Sequence, residues 1–208
     1  MNKFHYLLAI FTFLVFCILW MTYETPAIFA FDLSAANLLY GIDIITPFHY
    51  LGETKVIFGV WLIVLLIIWI RLRDAKLMFF TFLTIGLGFG LYQFLKRVVE
   101  RPRPEILDQY TTYSFPSGHA THGILCFLTL AFVFSKLVKS VKALRAIWIA
   151  AVLIFLLIGL SRVTEGRHFA SDVLAGWSLG YTWFTLCTLW YRVSTRNLTR
   201  LHNSDSEI

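Results

Sequence analysis

The sequence predicts an all-α integral membrane protein: six transmembrane helices with an active site at the extracytoplasmic membrane interface. Three observations carry that expectation. The 208-residue chain is 58% hydrophobic and only 14% charged, with a mean hydropathy of +0.72, where a soluble domain carries about 25% charged residues. Six apolar runs alternate with short polar segments, and in lipid only helices or closed barrels satisfy the backbone. Lys and Arg gather in alternate loops, the pattern of a multi-pass topology. The chain reads as one domain over residues 1–208.

Lys3 precedes the first run, residues 4–21. A signal peptide is the alternative, but the run is long for one and the following TPAIFA is a poor cleavage site, so a retained span is expected. Residues 23–55 read as a mixed loop holding Glu24, Asp32, Asp43 and Glu53, its apolar middle (31–45) lying along the bilayer surface. Span two covers 56–70 and is followed by Arg71, Arg73 and Lys76. Span three covers 77–95. Its Gly86, Gly88 and Gly90 follow no strand, so they suggest close helix contact rather than a nucleotide loop. Span four covers 120–134, and Lys136, Lys139, Lys142 and Arg145 form a basic loop after it. Span five covers 146–160, span six 173–191, and residues 192–208 read as a polar cytoplasmic tail. Its Asn197-Leu198-Thr199 fits a glycosylation sequon, discounted on that side of the membrane.

An even number of spans puts both termini and the basic loops on one side, which the positive-inside rule makes the cytoplasm. The polar segments at 96–119 and 161–172 then face outward. The net charge of +6 gives no basic face away from the membrane flanks, which excludes nucleic acid as a partner. Cys17, Cys126 and Cys187 fall within apolar runs and read as small buried hydrophobes.

The two outward clusters carry the chemistry. In the first, Lys96 and Arg103 precede Pro116-Ser117-Gly118-His119, a turn that opens span four. Fixed cations, free backbone N–H groups at a helix start and a proton carrier together suit a phosphate. Pro102 and Pro104 keep the Arg103 segment extended. Arg97 and Arg101 are expected to reach lipid headgroups. In the second cluster, His168 and Asp172 are four apart and would share a helix face. A carboxylate on one imidazole nitrogen leaves the other free to attack. On this reading His168 is the nucleophile, oriented by Asp172. His119 is the general acid and base. Lys96, Arg103, Ser117, Gly118 and Arg162 hold the phosphate oxygens. His122, one turn past His119, could join a metal site, but three nearby cations would repel a divalent ion. Glu165 and Arg167 read as loop charge, and His5, His49 and His202 as incidental.

Lys96 with Arg103-Pro104, Pro116 to His119, and Ser161-Arg162 with His168 and Asp172 match in order and spacing a three-part signature. It resembles that of the type 2 phosphatidic acid phosphatase family, the lipid phosphate phosphatases, and most of all its bacterial members. The resemblance implies a phosphohistidine on His168, no metal and no cofactor. It also implies a phosphorylated membrane lipid as substrate in a bacterial plasma membrane. Phosphatidylglycerophosphate ranks first, ahead of undecaprenyl pyrophosphate and phosphatidic acid. A lipid transporter or binding protein without turnover is the different-class alternative. It would need ionisable residues in mid-span, and the charges here lie at span ends. A metal-dependent hydrolase, and a vanadate oxidase with a similar phosphate-like site, are weaker alternatives.

Overall fold

A computed structural model describes residues 3–205, with side chains described through residue 195. The expected tail thus falls partly outside the described residues, as do the side chains of Asn197 and His202. Helix α1 spans Lys3–Thr22 and α2 Pro26–Leu39; a 3₁₀ segment follows at Thr46–Gly52. Helix α3 (Thr54–Ile67) runs on as a π turn to Leu72. Helices α4 (Ala75–Thr81) and α5 (Gly88–Val99) are joined by a π segment into one rod. Helices α6 (Gly118–Leu137), α7 (Val141–Thr164) and α8 (Ala170–Asp205) complete the chain.

Five rods are long and apolar enough to cross a membrane: α1, α3 with its π turn, α4–α5, α6 and α7. They cover the first five expected spans. The sixth corresponds to α8, which continues past residue 191 to Asp205 without a break. The first loop departs from expectation. It contains α2, entered through Pro26, whose fixed φ suits the first helical turn, and the 3₁₀ segment.

Helix α6 is the most buried of the five rods and packs against α7, α8, α3 and α5. Large apolar side chains such as Phe11, Leu62, Leu66, Phe82 and Leu153 point outward, the inversion expected when the solvent is lipid. The interior has two main apolar zones. One centres on Phe80, Phe132, Phe184 and Tyr191. The other joins Phe16, Leu19, Tyr92, Leu95, Phe115 and Leu179 near the polar loops. At the end of the first zone, Asp74 caps α4 through Leu77 N (2.8 Å) and accepts from the Tyr191 hydroxyl (3.0 Å). Lys136 lies over the Tyr191 ring, and Lys76 donates to Thr195. The basic loops therefore gather at one end of α8. Asp172 lies nineteen residues earlier, about 30 Å away along the helix.

Close helix contact is real at Gly88, where a Cβ would meet Leu125 at 2.5 Å, but not at Gly90, which has open space. The tightest backbone approach that concerns the polar end is at Gly176 on α8. A Cβ there would sit 2.8 Å from the Ser117 carbonyl and 2.9 Å from Ala120 Cβ. Backbone cannot yield as a flexible side chain can, so Gly176→Ala should push α8 from the start of α6 and destabilise the protein by about 1–3 kcal/mol. Gly90→Ala should be neutral or slightly stabilising. Thermal unfolding in detergent checks both, and equal midpoints would refute the contact.

Candidate active site

The site is built where irregular backbone meets three helix ends. Helix α5 stops at Glu100, which takes a left-handed conformation (φ 54°). The chain then runs without regular structure to the start of α6 at Gly118. The α7–α8 turn, residues 165–169, lies against it.

Asp172 is fully buried. Its Oδ1 accepts from Arg101 Nη1 at 2.7 Å. Its Oδ2 accepts from the Ser114 hydroxyl and from Phe169 N (3.0 Å), and lies 3.3 Å from His168 Nδ1. Its carbonyl accepts from Ser117 N at 3.0 Å. The pair does not share a helix face as expected: α8 begins at Ala170, so His168 precedes the helix and Asp172 reaches back across its first turn. The outcome for the imidazole is the same. Nδ1 faces the carboxylate, while Nε2 faces Arg103 Nη1 at 3.1 Å.

Arg103 is held from several sides. Nε donates to Thr112 O (2.7 Å), Nη2 to the Thr112 hydroxyl (3.0 Å) and Nη1 to Arg167 O (2.6 Å). Burial first, then the charge of Arg162, lowers its pKa to about 10, so it remains a cation at neutral pH. Lys96, in the last turn of α5, donates to Tyr113 O at 2.6 Å. Arg162, in the last turn of α7, is fully buried and bonds Glu165 at 2.8 Å. Its Nε and Nη2 have no partner among the described residues. Lys96, Arg103, Gly118, His119, Arg162 and His168 line one cavity of 230 Å³, together with Gln93, Tyr110 and His122. Six of the eight expected residues thus line this cavity, and a seventh, Asp172, is bonded just behind His168.

Ser117 is the exception. Its N–H is committed to the Asp172 carbonyl, and its buried hydroxyl has no hydrogen-bond partner among the described residues. Its amide therefore fixes α6 to α8 and is not free to meet a phosphate. Arg101 also departs from expectation. Instead of reaching headgroups it is buried, bonding Asp172, the Ser171 hydroxyl (2.7 Å) and Asp32 (2.9 Å), with its guanidinium 4.1 Å from the Phe169 ring centroid. Asp32, on α2, also accepts from Ser171 N and Oγ, each at 2.7 Å. A lone carboxylate in an apolar helix was the available signal, because such a residue is costly without a partner. For Ser114 and Ser171 no local signal existed. Glu165 and His49 are also placed by contact: His49 Nδ1 lies 2.7 Å from Glu165. Gly52 leaves the room that His119 occupies, since a Cβ there would sit 2.9 Å from the imidazole.

No group of three His, Cys, Asp or Glu side chains that could hold a metal occurs among the described residues, His122 included. Beside the polar cavity lies a more apolar one of 530 Å³ between α2 and the loops, lined by Phe29, Leu33, Pro102, Pro104 and Phe169. His168 and Arg103 line both.

Residues 75–196 match the family model of the PAP2 superfamily. Phosphatidylglycerophosphatase B of Bacillus subtilis (strain 168) is 37% identical over 116 residues, covering 54% of this chain and 56% of that protein. Lipid A 1-phosphatase of Rhizobium johnstonii is 34% identical over 123 residues, covering 53% and 45% respectively. These alignments span about half the length of each curated relative. Among solved structures, the crystal structure of a transmembrane PAP2-type phosphatidylglycerolphosphate phosphatase from Bacillus subtilis superposes with a TM-score of 0.76 at 28% identity. It covers 88% of this chain and 94% of that one.

Two outcomes follow from the geometry. Removing one member of a buried ion pair strands the other, at about 3–5 kcal/mol. Arg101→Ala strands both Asp32 and Asp172 and should destabilise more than Asp32→Ala, which leaves Arg101 paired with Asp172, while the double variant costs less than the sum of the two; a double-mutant cycle in detergent measures the coupling, and simple additivity would refute the pair. The second concerns pH. Burial first, then the charges of Lys96, Arg103 and Arg162, holds His168 well below the usual imidazole range. The unfolded chain takes up a proton near pH 6.5 that the folded chain does not, so this residue's contribution to stability is present above about pH 6.5 and lost as pH falls. Any activity needing neutral His168 should persist below that pH. Arg103→Gln removes a cation, raises the His168 pKa, and should move the acid limb of kcat/KM to higher pH.

Proposed function

The chain belongs to the PAP2 superfamily, and we propose that it is a membrane lipid phosphatase that removes the terminal phosphate of phosphatidylglycerophosphate through a phosphohistidine. The observation that carries this reading is the state of His168. Its Nδ1 faces a fully bonded carboxylate, its Nε2 faces the cavity beside Arg103, and three cations line the same space.

In the proposed first step, the Nε2 lone pair attacks phosphorus and the P–O bond to the lipid breaks. Lys96, Arg103 and Arg162 take the charge on the non-bridging oxygens, which is most of what phosphoryl transfer asks of a protein. His119 gives its proton to the departing lipid alkoxide. Asp172 holds the imidazole through Nδ1 and balances its positive charge. In the second step His119 takes a proton from water, whose oxygen attacks phosphorus. The P–N bond breaks, releasing inorganic phosphate and restoring His168. No metal enters either step.

The adjoining apolar cavity supports a lipid substrate, since His168 and Arg103 are reached from both the polar and the apolar side. The relatives' names support the substrate class: one is a phosphatidylglycerophosphatase, the other a lipid A 1-phosphatase. Undecaprenyl pyrophosphate is the next substrate to test. The clustering of Lys76 and Lys136 at the far end of α8 supports six spans with cytoplasmic termini and an outward-facing site. The same topology makes residues 192–208 cytoplasmic.

The purified protein, in detergent with excess chelator, should release phosphate from phosphatidylglycerophosphate. It should do so with kcat/KM at least about tenfold, or 1.4 kcal/mol, above that for undecaprenyl pyrophosphate. His168→Ala should lose about 10³-fold or more in kcat and fail to retain labelled phosphate on the protein. Covalent label on the variant would remove His168 as the nucleophile.

A further inference from the structure

The polar cavity is larger than one phosphate requires. A water takes about 30 Å³ in the liquid, and a space of 230 Å³ exceeds what one phosphate fills. Its inner wall holds two groups the mechanism does not use. His122 is 2% exposed, with its ring stacked on Phe89 (5.0 Å) and edge-on to Tyr92 (4.6 Å). Its Nε2 has no hydrogen-bond partner among the described residues, and the half-buried Gln93 lines the same cavity. Buried polar groups are normally bonded, so an orphan beside a cavity points to a ligand atom.

The helices give these two groups a fixed depth. His122 lies one turn into α6 from His119, and Gln93 lies one turn into α5 from Lys96. Residues three apart share a helix face and are offset by about 5 Å along it. His119 and Lys96 thus form an outer layer at the proposed phosphate, with His122 and Gln93 as an inner layer beneath it.

The chemistry of the inner layer differs from that of the outer. A neutral imidazole offers one donor and one acceptor, and an amide side chain two N–H donors and a carbonyl acceptor. A phosphate oxygen can only accept and would use their N–H groups but not their acceptors. A hydroxyl donates and accepts, and so can meet both. We infer that His122 and Gln93 form a hydrogen-bonding subsite for a hydroxyl on the carbon next to the phosphate ester, as a glycerol headgroup carries. The inference rests on the phosphatidylglycerophosphate reading and names what would read that headgroup. His122 and Gln93 then set specificity, while the phosphate itself is held by the outer layer.

The test compares phosphatidylglycerophosphate with the analogue whose headgroup is 1,3-propanediol in place of glycerol, both in mixed micelles with the full-length protein. The two differ by one hydroxyl. The wild type should favour the glycerol form by at least tenfold in kcat/KM, because a site built to bond a hydroxyl discriminates against its absence. His122→Phe and Gln93→Leu should each reduce that ratio to about twofold. His122→Gln, which keeps a donor and an acceptor, should retain most of it. A wild-type ratio near one, or equal losses on both substrates in His122→Phe, overturns the subsite while leaving the phosphatase reading intact. So does a His122→Phe loss confined to undecaprenyl pyrophosphate, which would assign the inner layer to a second phosphate. If the wild type turns over undecaprenyl pyrophosphate but neither glycerol nor propanediol lipid, the substrate reading fails and the inference with it.

Discussion

Five segments of this protein are brought together by one buried carboxylate. Asp172 binds Arg101 and Ser114 from the loop after α5, and Phe169 N and His168 from the α7–α8 turn. Through its own carbonyl it binds the start of α6 at Ser117. Arg101 extends the reach to Asp32 on α2. A carboxylate removed from water loses several kcal/mol of solvation, repaid only when its partners are in place with good geometry. The convergence is therefore close to all-or-none. The segments that make the site either assemble together or leave a charge stranded in an apolar interior.

That constraint has an electrostatic consequence for the cavity in front of His168. Asp172 is already matched by Arg101, and it offsets only part of the charge of Lys96 and Arg103 on the far side of the imidazole. Arg162 bonds the Glu165 carboxylate, and all three cations line the cavity. The result is an imidazole held toward its neutral form in a cationic cavity, with two Arg162 nitrogens lacking a hydrogen-bond partner among the described residues. An anionic tetrahedral group complements such a field. Arg103, bound on three of its sides to loop backbone or Thr112, presents that charge from a fixed position.

The scaffold follows from the opposite pressure. In lipid the backbone must be satisfied within each helix, and apolar side chains gain nothing by hiding from the solvent. Close contact, rather than hydrophobic exclusion, then holds helices together. Gly176 against the Ser117 carbonyl and Gly88 against Leu125 are such contacts. The first lies one turn from Asp172 and fixes α8 to α6 at the level where the site is built.

The sequence by itself determined the solvent, the helical class and most of the residues of the candidate site. Long apolar runs have one outcome in a bilayer, and polar residues such as Lys96, Arg103, His119, Arg162 and His168 stand out against them because each is costly there without a purpose. Fixed spacing within a segment was legible too, since His168 and Asp172 are too close in sequence to escape each other. Tertiary structure decided what depends on contact between distant segments. Asp32 and Arg101 are sixty-nine residues apart, and a short sequence window shows an acid in an apolar helix and an arginine at a membrane edge, not their pairing. Ser117 looked like a free helix-start donor because the sequence cannot show that the Asp172 carbonyl takes its N–H. His122 had the same ambiguity. Its depth one turn below His119 was fixed by the helix, but only the fold put Gln93 on the same cavity and left the His122 Nε2 without a hydrogen-bond partner among the described residues.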